Sequence, residues 1–286
     1  MKKSSGKLLI FSGLNKRYKY VVNKLLDKYP NASLIAQEIT KGDYIGKYDN
    51  SEKLDKDAVA LLNRHLKARN EVESKYYPED EFHLTAEHRV LCVDSETLNS
   101  DKTVRFIEET RPSVAFSFGI GMIRDEVLNA LKHCVAVNLH FGLTPYYRSS
   151  DTLLWPLYLQ NPGHIGMTLH QIDRRADHGP IYHQQKTVFA KGDSMHEIFC
   201  KTIVQAVSPT LKLIDSLMKN IALKPYVSLS EAKCFLNGEF TPNHLKIIYQ
   251  LIDDGMLERY LEGKCLSREL KLYSCFKEQI EEKKWK

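Results

Sequence analysis

Apolar and polar positions fall into blocks along the chain, and their spacing predicts an ordered series of strands and helices. Residues 7–12 contain the unbroken run Leu8-Leu9-Ile10-Phe11 with Gly13 beyond it, which predicts a short buried strand. Residues 18–29 carry Val21, Val22, Leu25 and Leu26 at helical spacing and stop at Pro30. Residues 32–39 read as a second strand. A strand–helix–strand opening implies a parallel sheet with a right-handed crossover. Residues 40–88 then turn polar and charged. Within them, 54–77 predict one long helix with Leu61, Leu62 and Leu66 on its inner side, closed by Pro78. This is a large insertion for an α/β architecture, and it could wall a cleft.

The sheet pattern resumes with strands at 89–93, 113–118 and 134–139, separated by helices at 103–109 and 123–131. Apolar strands without alternation are buried on both faces. A helix at 151–159 has Ser150 or Asp151 as its N-cap. Strands at 165–172 and 181–189 follow, then a helix at 194–218 capped by Asp193 or Ser194. Past about residue 222 the texture changes: strand-like pieces surround Asn237-Gly238, a hairpin turn signal, and a helix at 242–261 precedes a charged tail. The expected fold class is α/β, a Rossmann-like, mostly parallel sheet flanked by helices. Residues 1–220 are expected to form the main domain, with the helical insertion at about 40–88, and 221–286 a smaller, mainly helical C-terminal extension.

Composition changes this picture little. Of 286 residues 43% are hydrophobic and 27% charged, as in a globular chain with a sizeable core. A net charge of +5 does not demand nucleic acid, and an anionic small molecule fits it equally well. None of the six cysteines forms a CxxC pair, so neither a zinc site nor a redox couple is indicated. The run at 8–11 is too short for a secretory leader and is soon followed by Asn15-Lys16-Arg17. No apolar run reaches the ~18 residues of a membrane span. The expected location is the reducing cytoplasm.

Candidate chemistry gathers at one place. Asn138 and His140 end the strand at 134–139, at the carboxyl edge where open α/β sheets bind ligands. Asp177 lies in a loop between two later strands, within Asp177-His178-Gly179-Pro180-Ile181. An amide donor, an imidazole and a carboxylate are three groups that could handle one acyl group. Singly, a histidine at a strand end is usually structural and an aspartate before glycine is usually a turn residue. Together, with the proline-containing loop after His140 and the strand Gly166-Met167-Thr168-Leu169-His170, they favour the functional reading. Lys16, Arg17 and Lys19 follow the first strand and could hold a phosphate or form a solvated face. Gly119-Ile120-Gly121 lacks the third glycine of a dinucleotide fingerprint. The histidines between 133 and 183 have no metal-binding spacing, and no metal is expected. Trp155 and Tyr158 read as core packing ahead of ring stacking on a ligand.

At these residues the chain resembles the folate-dependent formyltransferases, closest in style to the sugar-nucleotide N-formyltransferases. The resemblance runs through Asn138-Leu139-His140, Pro145-Tyr146-Tyr147-Arg148, Gly166-Met167-Thr168-Leu169-His170 and Asp177-His178-Gly179-Pro180-Ile181. It covers roughly residues 85–190, and the first 40 residues agree in layout only. Two departures stand out. The loop reads His-Phe-Gly-Leu-Thr-Pro where many members have His-Pro-Ser-Leu-Leu-Pro, and Ser149 stands where a glycine is expected. The resemblance implies catalytic roles for Asn138, His140 and Asp177, and 10-formyltetrahydrofolate as formyl donor. It also implies that the pterin is held by backbone groups around Ile120, Gly121, Met122 and Ile123 and in the loop before Asp177, which carries Arg175. Lys16, Arg17, Tyr146, Tyr147 and Arg148 are the candidate acceptor-binding residues. The expected acceptor is a primary amine of a small metabolite, a nucleotide-linked amino sugar before glycinamide ribonucleotide or methionyl-tRNA. A formyltetrahydrofolate hydrolase and a non-catalytic folate or nucleotide-sugar binding protein remain as alternatives. Neither nucleic acid nor membrane is favoured as a partner, and a homodimer is left open.

Overall fold

A computed structural model of the chain describes residues 6–38, 55–228, 233–264 and 268–276. Its centre is a seven-stranded sheet in the order β3-β2-β1-β4-β5-β7-β8. The strands are β1 (Leu8–Gly13), β2 (Ser33–Gln37), β3 (Arg89–Val93), β4 (Val114–Phe118), β5 (Val135–His140), β7 (Gly166–Gln171) and β8 (Ile181–Lys186). The first five pair in parallel, while β7 runs antiparallel to β5 and β8 antiparallel to β7. A two-stranded parallel pair, β6 (Arg148–Ser149) with β9 (Cys234–Phe235), lies apart. The helices are α1 (Lys16–Lys28), α2 (Lys56–Tyr76), α3 (Asp101–Thr110), α4 (Asp125–Ala130), α5 (Leu154–Tyr158), α6 (Met195–Met218), α7 (Pro242–Asp253) and α8 (Met256–Leu261).

The sheet is covered on both faces because its strands present apolar side chains to both. In β1, Leu8 and Ile10 pack with Val21, Val22 and Leu25 of α1 and Ile203 and Leu213 of α6. Leu9 and Phe11, pointing the other way as strand alternation requires, pack with Ile107 of α3 and Val127 of α4. Each such fully buried aliphatic chain stabilises the fold by about 1.5–3 kcal/mol. The chain leaves β1 toward β2 on one side and returns to β4 on the other. The crossovers therefore part at the carboxyl ends of these strands and leave a crevice there.

A second apolar cluster lies beside the sheet. Trp155 and Leu157 of α5, Phe235, Phe240, and Leu245 and Ile248 of α7 meet Leu62 of α2. The C-terminal helices thus pack on the loop that follows β5 and on the insertion. Among the described residues no helix is long and apolar enough to cross a membrane.

Several boundaries differ from the expectation. Of the insertion, residues 39–54 lie outside the described residues, as does much of the charged tail. The insertion's helix begins one residue after Asp55, whose carboxylate accepts from the Ala58 N–H at 2.7 Å. The helix expected at 151–159 is confined to Leu154–Tyr158, and neither Ser150 nor Asp151 caps it. Asp151 has φ 55°, a left-handed conformation that an N-cap does not adopt. The helix expected at 242–261 is two helices, parted at Gly255 with φ 78°. Asn237-Gly238 does turn, with Gly238 at φ 95°, but no hairpin forms: Cys234–Phe235 pairs in parallel with Arg148–Ser149 instead.

Candidate active site

The crevice at the strand ends is a cleft of about 900 Å³. Asn138, His140 and Asp177 meet in its wall. The register between β5 and β7 explains the motif around them: Asn138 lies opposite His170 and His140 opposite Thr168. The Thr168 hydroxyl donates to the Gly142 carbonyl at 2.7 Å and accepts from the Thr144 N–H at 3.1 Å. That pair of bonds ties the loop after His140 to the neighbouring strand.

Asp177 is gripped from several sides. Its Oδ1 receives the Asn138 amide at 3.3 Å and faces His170 Nε2 at 3.2 Å. Its Oδ2 receives the Ser149 N–H at 3.0 Å and faces His140 Nδ1 at 3.3 Å. Burial alone would raise this carboxyl. Interactions with His140 and His170 and the Ser149 N–H outweigh burial and hold it well below the usual carboxylate range. Both Asp177 and Ser149 have left-handed backbones, φ 47° and 74°. Non-glycine residues adopt these at a cost of about 1–3 kcal/mol, and such residues cluster at functional sites.

His140 is 8% exposed, and burial pulls its pKa below the ordinary imidazole value against the opposing pull of Asp177. Its Nε2 lies 3.1 Å from the Tyr147 carbonyl, which can only accept, so the neutral ring carries its proton there. The bare Nδ1 then faces Asp177. A second proton on that nitrogen would convert the 3.3 Å contact into a charged hydrogen bond. Gly142 lets the loop lie this close: a Cβ there would stand 2.5 Å from His140 Nε2 and 2.8 Å from the Tyr147 carbonyl. In this backbone, position 142 has no room for a side chain.

Asn138 is oriented by a residue that the sequence reading passed over. The Ser117 hydroxyl donates to Asn138 Oδ1 at 2.6 Å, which fixes the amide with its nitrogen toward His170 and Asp177. His170 is part of the same cluster. Its Nδ1 donates to the Gln171 carbonyl at 2.8 Å, and its Nε2 lies 3.1 Å from Asn138 Nδ2 and 3.2 Å from Asp177 Oδ1. A hydroxyl inside the apolar run 114–118 was the available signal for Ser117.

The residues expected to hold the donor line the cleft: Ile120, Gly121, Met122, Ile123 and Arg175 all do. Two backbone groups of that loop are already bonded. The Gly121 N–H donates to Gln37 Oε1 at 2.7 Å, and the Met122 carbonyl accepts from Asn99 Nδ2 at 3.0 Å. These two side chains brace the loop, and only their positions at element ends could have suggested it. Gly119, just before the loop, has φ 69°, and a Cβ there would strike the Tyr18 ring at 2.4 Å.

The expected acceptor residues divide. Arg17 lines the cleft. Lys16 does not; it pairs with Asp80 at 2.8 Å. Tyr146 packs against the second apolar cluster. Tyr147 is 5% exposed, donates its hydroxyl to His164 Nδ1 at 2.9 Å and stacks on Phe235. Arg148 donates from Nε to the Ala176 carbonyl at 3.1 Å and so supports the loop that carries Asp177. The Tyr-Tyr-Arg loop thus builds the wall behind His140, and its side chains do not face the cleft. Trp155 stacks on Phe235 at 4.6 Å, as core packing predicts.

A parallel sheet closed by two antiparallel strands, with Asn-x-His on one strand end and the aspartate loop beside it, defines a class: the chain has the fold of the folate-dependent formyltransferases. Known structures of that fold include a sugar N-formyltransferase from Shewanella sp FDAARGOS_354, 14% identical, covering 85% of this chain and 87% of that one at TM-score 0.52. A phosphoribosylglycinamide formyltransferase from Anaplasma phagocytophilum is 12% identical over 82% of this chain and 98% of its own, at TM-score 0.53. The formyltransferase PseJ from Anoxybacillus kamchatkensis, solved with UDP-4,6-dideoxy-4-formamido-L-AltNAc and tetrahydrofolate, is 15% identical over 88% and 94%, at TM-score 0.50. Among curated proteins, the bifunctional polymyxin resistance protein ArnA of Wigglesworthia glossinidia brevipalpis is 25% identical over 133 residues, 46% of this chain. That match spans 20% of the relative's length. No family model matches the chain.

Proposed function

We propose that this protein transfers a formyl group from 10-formyltetrahydrofolate to a primary amine of a small metabolite, most favourably a nucleotide-linked amino sugar. The observation that carries this reading is the meeting of Asn138, His140 and Asp177 at the carboxyl end of β5. Attack of an amine on the formyl carbon forms a C–N bond and a tetrahedral intermediate with a negative oxygen. The amide of Asn138 has two N–H bonds, and the longer contact, 3.3 Å to Asp177, is the one to yield to that oxygen. His140, kept neutral by burial, takes the proton that the attacking nitrogen sheds, and Asp177 steadies the resulting imidazolium. Breakdown re-forms the carbonyl from the oxyanion, the imidazolium returns its proton to the departing folate nitrogen, and tetrahydrofolate leaves as the C–N bond to the folate breaks. The donor fits the cleft wall formed by Ile120 to Ile123 and Arg175, and no step in this scheme requires a metal ion.

The domain division belongs to the same proposal: a catalytic unit to about residue 220 and an extension that packs against its loop. The test is to incubate the protein with 10-formyltetrahydrofolate and three kinds of acceptor, namely nucleotide-linked amino sugars, glycinamide ribonucleotide and methionyl-tRNA, and to follow products by mass spectrometry. A formylated amino sugar is the expected result. Formate released without any acceptor would make the protein a hydrolase. Tight folate binding without turnover on any acceptor would make it a binding protein.

A further inference from the structure

The two sides of the cleft differ in origin and in chemistry. The loop 120–123 leads into α4, on one face of the sheet, whereas Arg17, His65, Arg69 and His196 come from α1, α2 and α6, on the other. Asn138 and His140, at the end of a central strand, lie between. An acceptor that meets a folate at these residues therefore has the α1–α2–α6 side to occupy.

That side is built for an anion. His65, Arg69 and Glu73 follow one another at four-residue spacing, so they share one face of α2. Glu73 pairs with Arg17 Nη2 at 2.5 Å and so fixes that guanidinium beside the cleft. The His65 and His196 rings lie 4.6 Å apart, and His65 Nδ1 is held by the Tyr249 hydroxyl at 3.1 Å. His196 is 5% exposed, lines the cleft, and has no hydrogen-bond partner on either ring nitrogen among the described residues. A buried imidazole without partners is costly unless something else completes it. Two guanidiniums offer the fork geometry that matches phosphate oxygens.

We propose that Arg17, Arg69 and His196 form an anion subsite that receives a phosphate group of the amine acceptor, with the α2 insertion supplying Arg69. The identity of the ligand as an acceptor rests on the formyltransferase reading; the subsite itself does not. The phosphate fills the unmet hydrogen bonding of His196 and places the distant amine toward Asn138 and His140. Of these side chains, α2 contributes both His65 and Arg69.

The test is calorimetric titration of the full chain and of Arg69→Gln and His196→Gln variants. The probes are UDP, ribose 5-phosphate and, separately, tetrahydrofolate. Unchanged unfolding temperatures check that the variants fold. Wild type is expected to bind UDP or ribose 5-phosphate, and whichever binds identifies a nucleoside diphosphate or a sugar monophosphate as the source. Arg69→Gln is expected to weaken that binding about 10–100-fold, the worth of one charged hydrogen-bonding group. His196→Gln is expected to weaken it several-fold, with tetrahydrofolate affinity unchanged in both variants. If neither phosphate compound binds while tetrahydrofolate does, the subsite is wrong and the formyltransferase reading stands. Equal affinity in wild type and Arg69→Gln would also overturn it. If a phosphate compound binds through Arg69 and tetrahydrofolate does not bind at all, the subsite stands and the formyltransferase reading falls.

Discussion

Ser149 is the residue at which two requirements meet. Its N–H must reach Asp177 Oδ2 at 3.0 Å, and the backbone that achieves this has φ 74°. Glycine adopts that conformation without the Cβ penalty of roughly 1–2 kcal/mol, offset in part by its larger loss of chain entropy. Ser149→Gly is therefore expected to raise stability by ~0.5–1 kcal/mol and leave turnover unchanged, since the N–H is retained. A lower denaturation midpoint in urea would show that the serine side chain contributes something the backbone argument misses. Asn138 carries a different expectation. On the proposed mechanism, replacing it with alanine removes an oxyanion donor and should cost about 10²–10³ in kcat with a much smaller change in KM. Measured single-turnover rates that stayed within a factor of three of wild type would remove Asn138 from the chemistry.

At the scale of elements, the support for the loop after β5 comes from far along the chain. Trp155 of α5 is 5% exposed and stacks on Phe235 of β9, while Phe240 meets it edge-on at 5.4 Å. Trp155→Ala should cost about 3–5 kcal/mol, as large-to-small aromatic replacements in cores do. It should also expose the segment around 233–241 to protease, which a digestion time course would reveal; a loss below ~1 kcal/mol would mean that the cluster repacks without the indole. This arrangement marks what was legible in the sequence. The sheet strands were, because buried strands are continuous apolar runs, and so was the meeting of Asn138, His140 and Asp177, because a strand end and the loop beside it were both marked by sequence pattern. The pairing of β9 with β6 was not: two residues on each side carry no periodicity, and Asn237-Gly238 signals a turn without saying which strands it joins. Nor was the inward turn of Tyr147, whose ring and hydroxyl are both used in packing. The histidines and arginine of α2 and α6 gave no local signal, because their meeting depends on how three helices pack. The break at Gly255 was visible only as a glycine inside a helical pattern.

For the molecule as a whole, the buried histidines set how stability depends on acidity. Burial first, then the charges of Arg69 and Arg17, pull His196 down to about 4 from an ordinary value near 6.5. Burial, the His196 ring and the same two arginines pull His65 down to about 3. His140 is lowered in the same direction. Each folded-state pKa lies below its unfolded value, so between them the unfolded chain binds more protons than the folded one. The sign follows: stability is fully present above about pH 6.5 and is lost as pH falls through the folded values. For His196 alone the loss amounts to roughly 3 kcal/mol at 1.36 kcal/mol per unit, complete only below about pH 4. Asp177 acts at still lower pH, because its carboxyl is held below the usual range. Urea unfolding followed between pH 7.5 and 4.5 should therefore show the midpoint falling steadily below pH 6.5. His196→Gln should reduce that slope, since glutamine fills much of the same space and has no proton to gain. A slope unchanged in this variant would mean that His196 is already protonated in the fold, with an unseen anion or carboxylate beside it.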